Sequence, residues 1–284
     1  MRTPSKINLF LRVAGRRADG YHELETLFYP LSEPADEVSL GFDPAQTETK
    51  FILESEQGAC AVPATPDNLC IRALNAFCSA ASLPAAPHTV TLKKNIPVAA
   101  GMGGGSSDAA AVLRLLKNLY PDAAVDLPSI AKKLGADVPF FLHPVPSVAT
   151  GIGEKLTVLE DLPERLPILI AAPQFPIPAK WAYQHWDRRW NQENLTLAEL
   201  LCALRKCDFE KAAAFLRNDL EYAARKKFPL LDMIADEFKK TGACRVMMTG
   251  SGPTLFAIYG SFSLRDAAAE KLDAAGLHLK LIKP

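Results

Sequence analysis

The chain has 284 residues, 49% of them hydrophobic, with Lys+Arg and Asp+Glu balanced at 32 each. That supports one large domain or two ordinary ones, and neutrality argues against a broad surface for nucleic acid or anionic membrane. The 6 cysteines form no Cys-x-x-Cys pair, no apolar run reaches spanning length, and the amino terminus lacks a signal-peptide core. The expectation is a cytoplasmic protein with reduced, mostly buried thiols and neither membrane nor nucleic-acid partners.

Lys6 to Val13 alternates and predicts a strand, with Ile7, Leu9, Leu11 and Val13 on one face and Lys6, Asn8, Phe10 and Arg12 on the other. Asp19-Gly20 is a turn signal, so a returning strand is expected over His22–Leu31, with Tyr21 and His22 at its start. Further strands are expected at Val38–Phe42 and Phe51–Ser55, and a helix over Leu69–Ala80 capped at Asp67-Asn68. Thr89–Lys93 predicts a strand. Val112, Leu115, Leu116 and Leu119 repeat with helical spacing. Pro128–Leu134 predicts a shorter helix, delivering Ala136, Asp137, Val138 and Pro139 as a bend. The texture changes near residue 155, where a domain boundary is expected, giving 1–155 and 156–284. The second part predicts a strand at Ile168–Ala172, helices at Thr196–Arg205, Phe209–Leu216 and Leu230–Thr241, a strand-rich stretch at Ala243–Tyr259, a helix and a last strand. Mixed order without strict alternation of strand and helix points to an α+β fold.

The most informative stretch is Pro97, Val98, Ala99, Ala100, Gly101, Met102, Gly103, Gly104, Gly105, Ser106, Ser107. Glycines admit close backbone approach, and a helix N-terminus offers unpaired N–H donors, so this stretch suits a phosphate. No lysine follows the glycines as a Walker A loop requires, and Ser106 stands where a dinucleotide fingerprint needs its third glycine. The loop must hold phosphates by backbone N–H groups and the Ser106 and Ser107 hydroxyls, with a cation from elsewhere. Lys93 and Lys94 precede it and read most simply as exposed lysines.

These residues resemble the phosphate loop of the GHMP kinases. Pro4-Ser5-Lys6-Ile7-Asn8, Arg17-Ala18-Asp19-Gly20-Tyr21-His22, Gly135-Ala136-Asp137-Val138-Pro139, Gly151-Ile152-Gly153-Glu154 and Gly250-Ser251-Gly252-Pro253-Thr254 match in order. The resemblance implies a two-domain fold with the active site in a cleft between an N-terminal ATP-binding, catalytic domain and a C-terminal substrate-side domain. It implies ATP and Mg²⁺ as cofactors and a small cytidyl diphosphate substrate. By the same resemblance Asp137 is the general base, Lys6 its electrostatic partner, and Asn68 borders the adenine. Asn8 would sit near the substrate hydroxyls, and Tyr21, His22 and Tyr183 would line the cytosine pocket. The residues alone leave plainer roles open: a helix cap for Asp137 and Asn68, an exposed strand lysine for Lys6, a packing aromatic for Tyr183. Ala179 and Ser5 depart from the pattern, standing where relatives often carry threonine and alanine. Ser107 is a candidate metal ligand; the other ligands and the choice of monomer or dimer are not legible. Two rivals remain, a GHMP kinase for another alcohol and a non-catalytic nucleotide- or RNA-binding module.

Overall fold

A computed structural model describes residues 1–54, 62, 65–187, 195–274 and 280–284. The chain forms two compact units, each assembled from separated segments. The first comprises Met1–Ser5, Pro30–Val98 and Gly103–Pro144; the second comprises Lys6–Tyr29, Ala99–Met102 and Val145–Pro284.

The first two strands, β1 (Arg2–Arg16) and β2 (His22–Phe42), run through both units. β2 is continuous where two strands were expected. In the first unit its later half pairs antiparallel with β4 (His88–Lys93), which pairs in parallel with β3 (Lys50–Glu54). Against these strands lie α1 (Leu69–Ala80), α2 (Gly104–Leu119), α3 (Leu127–Leu134) and α4 (Val138–Leu142). α2 packs on α1 and α4 through an apolar stripe that includes Val112, Leu113 and Leu116. The expected bend at residues 136–139 is instead the entry to α4. One turn of helix carrying a proline at its start is too short for a periodicity to register.

In the second unit β8 (Arg217–Asn218) pairs in parallel with β1, and β5 (Ser147–Gly151) pairs antiparallel with the early half of β2 and with β6 (Lys155–Val158). A four-stranded sheet follows the order β11-β7-β10-β9, from Lys280–Ile282, Ile168–Ala172, Leu255–Ile258 and Arg245–Met248. Around these strands lie α5 (Ala179–Gln184), α6 (Leu197–Arg205), α7 (Phe209–Phe215), α8 (Glu221–Lys227), α9 (Leu230–Lys240) and α10 (Phe262–Ala274). Leu169, Ala171, Leu231, Phe238, Met248, Leu255 and Tyr259 form its core, with Tyr183 and Trp186 packed against the edge.

Of the described cysteines only Cys70 and Cys78 are buried; Cys202, Cys207 and Cys244 are exposed, and Cys60 lies outside the described residues. The expectation of mostly buried thiols therefore fails. Among the described residues no helix is long and apolar enough to cross a membrane.

Candidate active site

Strand alternation on β1 puts Lys6 and Asn8 side by side, as the sequence predicts, and both are buried. An exposed lysine is thereby excluded. The Lys6 ammonium donates to Asn8 Oδ1 at 2.6 Å and to the Gly101 carbonyl at 3.3 Å, and lies 5.1 Å from the centre of the Phe28 ring. Asn8 Nδ2 donates to Thr26 Oγ1 at 2.8 Å, and the Asn8 backbone N–H donates to Thr249 Oγ1 at 2.9 Å. The two glycine loops interlock here. Gly101 has φ +76°, and a Cβ there would overlap the Thr249 carbonyl and lie 2.9 Å from Gly252 N. Asn218 holds the second loop, donating through Nδ2 to the carbonyls of Met248 at 2.7 Å and Gly250 at 2.9 Å. Among the second unit's residues, Lys6, Asn8 and Gly101 thus come together with Thr26, Thr249 and Asn218, whose roles the sequence did not signal.

The aromatic residues form a separate cluster. His22 stacks on Tyr183 with ring centroids 5.3 Å apart and 23° between planes, and Trp186 meets His22 edge-on at 5.6 Å. Burial, then the charge of Arg16, lowers the His22 pKa, so the imidazole is neutral at neutral pH. Tyr21 stays exposed at the turn, its N–H donating to Asp19 Oδ1 at 3.1 Å.

In the first unit the glycine loop enters α2 through Gly103, a left-handed N-cap at φ 74° without a side-chain cap. The first backbone bond of α2 runs from Ser107 N to Gly103 O, so the N–H groups of Gly104, Gly105 and Ser106 precede the helix's own ladder. Gly105 is exposed and Ser106 partly so. The Ser107 hydroxyl points inward, donating to the Pro4 carbonyl at 2.6 Å and lying 2.5 Å from Thr3 Oγ1. Ser5 Oγ, at the departure from the family pattern, is buried without a hydrogen-bond partner among the described residues. Asn68 caps α1, its Oδ1 accepting from Cys70 N at 2.8 Å. A Cβ on Gly105 would lie 3.5 Å from Leu69 Cδ1, which sets the starts of α1 and α2 side by side.

Lys94 departs from the sequence reading. It is buried and ion-paired to Asp36 and, at 2.8 Å, to Asp108 Oδ2. Its ammonium packs beneath the first residue of α2, where a Cβ on Gly104 would come within 2.8 Å of Nζ. Asp36 Oδ1 also accepts from the N–H groups of Asn95 at 2.6 Å and Ile96 at 2.8 Å. Among the described residues Asp108 Oδ1 has no hydrogen-bond partner, and desolvation, with the nearby Asp36 charge, outweighs the attraction of Lys94, so its carboxyl is pushed up to about 7. An acid one residue after the loop serine was the available signal.

Asp137 occupies the N-cap position of α4 in a right-handed conformation, and its side chain makes no capping hydrogen bond. Capping therefore does not account for it.

A glycine loop opening onto a helix N-terminus, over a buried cluster of Lys94 with Asp36 and Asp108 and with no Walker lysine, fits phosphate binding outside the P-loop class. The chain belongs to the GHMP kinase family: residues 68–144 match the GHMP kinases N terminal domain and 197–278 match GHMP kinases C terminal. Its relatives include 4-diphosphocytidyl-2-C-methyl-D-erythritol kinase of Syntrophotalea carbinolica, 36% identical over 95% of this chain and 93% of that one. A crystal structure of 4-(cytidine 5'-diphospho)-2C-methyl-D-erythritol kinase superposes with a TM-score of 0.79 at 36% identity, covering 96% of each chain. Homoserine kinase from Cytophaga hutchinsonii shares the fold, with a TM-score of 0.73 at 17% identity over 99% of this chain and 93% of that one. The protein is an ATP-dependent small-molecule phosphotransferase with an α+β fold.

Proposed function

We propose that this kinase transfers the γ-phosphoryl group of ATP to the 2-hydroxyl of 4-diphosphocytidyl-2-C-methyl-D-erythritol, a step of non-mevalonate isoprenoid precursor synthesis in the cytoplasm. Relatives bearing that substrate's name match over nearly the whole chain. One observation in the structure carries the choice of substrate: the stack of His22 on Tyr183 with Trp186 edge-on. Aromatic faces of this kind accept a nucleobase, and a neutral imidazole can hydrogen-bond its edge.

The acceptor oxygen attacks the γ-phosphorus, the bond from that phosphorus to the β,γ-bridging oxygen breaks, and ADP leaves. The hydroxyl proton passes to the Asp137 carboxylate, acting as general base. Lys6 supplies positive charge where negative charge develops. The phosphates lie on the N–H groups of Gly104, Gly105 and Ser106 at the start of α2, and the adenine lies near Asn68. Mg²⁺ accompanies ATP and neutralises phosphate charge. Among the described residues no three His, Cys, Asp or Glu side chains form a metal cage. The Ser107 hydroxyl is already engaged by Pro4. When bound, the ion would take phosphate oxygens and retained waters among its ligands, as this cation usually does.

The test is ATP-dependent phosphorylation of the cytidyl alcohol, with mevalonate and homoserine in parallel. The cytidyl alcohol should be the preferred substrate, and Asp137→Asn should lower kcat by about 10²–10⁴-fold while the protein stays folded. Preference for another alcohol would assign the chain to a different GHMP activity, and undiminished turnover by folded Asp137→Asn would remove the base from the mechanism.

A further inference from the structure

Thr26 is almost wholly buried on β2, two residues from Phe28 and therefore on the same face of the strand. Valine would fill that space without a polar atom to satisfy, and a buried hydroxyl is costly unless hydrogen-bonded. The Thr26 hydroxyl has two bonds. It donates to the Phe10 carbonyl at 2.6 Å and accepts from Asn8 Nδ2 at 2.8 Å. The amide of Asn8 can face only one way. Reversed, it would set Nδ2 against the Lys6 ammonium at 2.6 Å, donor against donor. Its carbonyl oxygen thus faces Lys6 and its amino group faces Thr26. The sequence placed Asn8 near the substrate hydroxyls, yet here both ends of its side chain are engaged by protein groups.

We infer that Thr26 is a positioning residue for Lys6, acting through Asn8. The order is a relay: the Phe10 carbonyl orients the Thr26 hydroxyl, the hydroxyl orients the Asn8 amide, and the amide oxygen fixes the ammonium. β2 supports Lys6 twice, through Thr26 and through the ring of Phe28. The inference rests on the proposed role of Lys6 in phosphoryl transfer.

The test is a cycle of variants assayed with ATP and the cytidyl alcohol. Thr26→Val should lower kcat by about 10–100-fold, the scale of a misplaced catalytic group, with little change in the KM for ATP. Thr26→Ser, which keeps the hydroxyl, should recover most of the loss. In a Lys6→Met background Thr26→Val should cause no further fall. Wild-type turnover by folded Thr26→Val, or an undiminished further fall in the Lys6→Met background, would overturn the relay. If Lys6→Met alone keeps wild-type kcat, the role of Lys6 is what fails. Should Thr26→Val not fold, hydrogen exchange of the Asn8 side-chain amide in the wild-type protein decides. The relay predicts protection, and exchange at the free-amide rate overturns it.

Discussion

Gly101 shows why the glycine loop has its composition. Its φ of +76° is unfavourable for any residue with a Cβ, and the missing Cβ is where the Thr249–Gly252 backbone passes. Gly101→Ala combines that strain, about 1–2 kcal/mol, with a backbone overlap that flexible side chains cannot relieve. It should destabilise the protein by more than about 2 kcal/mol and lower turnover, because the Gly101 carbonyl is also an acceptor for Lys6. Denaturant unfolding measures the first effect; a wild-type midpoint for Gly101→Ala would show that the loops do not interlock. The pairing of Lys6 with Asn8 was legible, since period-2 alternation fixes which side chains share a strand face. The burial of Lys94 was not. Nothing local says that Asp36, far upstream in sequence, delivers its carboxylate to the same point.

At the scale of elements, α2 is the proposed phosphate-binding helix, and its first turn lies over the buried Lys94, Asp36 and Asp108. Its existence was legible from the apolar spacing after the glycines, but what lies beneath it depends on side chains from three separated segments. Removing Lys94 would leave two buried carboxyls without their cation, a loss of about 3–5 kcal/mol for a broken buried pair. Asp108 behaves differently, because its carboxyl is raised in the folded state. The folded protein then holds a proton that the unfolded chain releases above its ordinary carboxyl value of 3.8. The contribution of Asp108 to stability is therefore full below that value and falls as pH rises towards about 7. Asp108→Asn keeps the shape and removes the titration. Relative to wild type, its melting temperature should rise progressively across this window. A constant offset between the two proteins at every pH would contradict the assignment. The elements the sequence missed include α4, α5, α8, β8 and the β5–β6 hairpin, which are too short or too mixed for a period to show.

For the whole molecule, the α+β class was legible from irregular alternation of strand and helix signals, and the order of the motifs matched one family along the chain. The interleaving of the compact units was not legible, because composition varies along the chain while β1 and β2 each contribute to both units. The proposed function likewise calls on residues from distant segments: Lys6 and Asn8 on β1, the glycine loop, Asp137 before α4, and His22 with Tyr183. The central claim is that these act together on one cytidyl alcohol. A crystal structure with an unreactive ATP analogue and 4-diphosphocytidyl-2-C-methyl-D-erythritol tests it most directly. The account predicts the 2-hydroxyl within hydrogen-bond reach of the Asp137 carboxylate, about 2.6–3.2 Å, with Lys6 beside it and the cytosine against His22 and Tyr183. A 2-hydroxyl beyond the reach of Asp137, or a cytosine bound away from those rings, would contradict it.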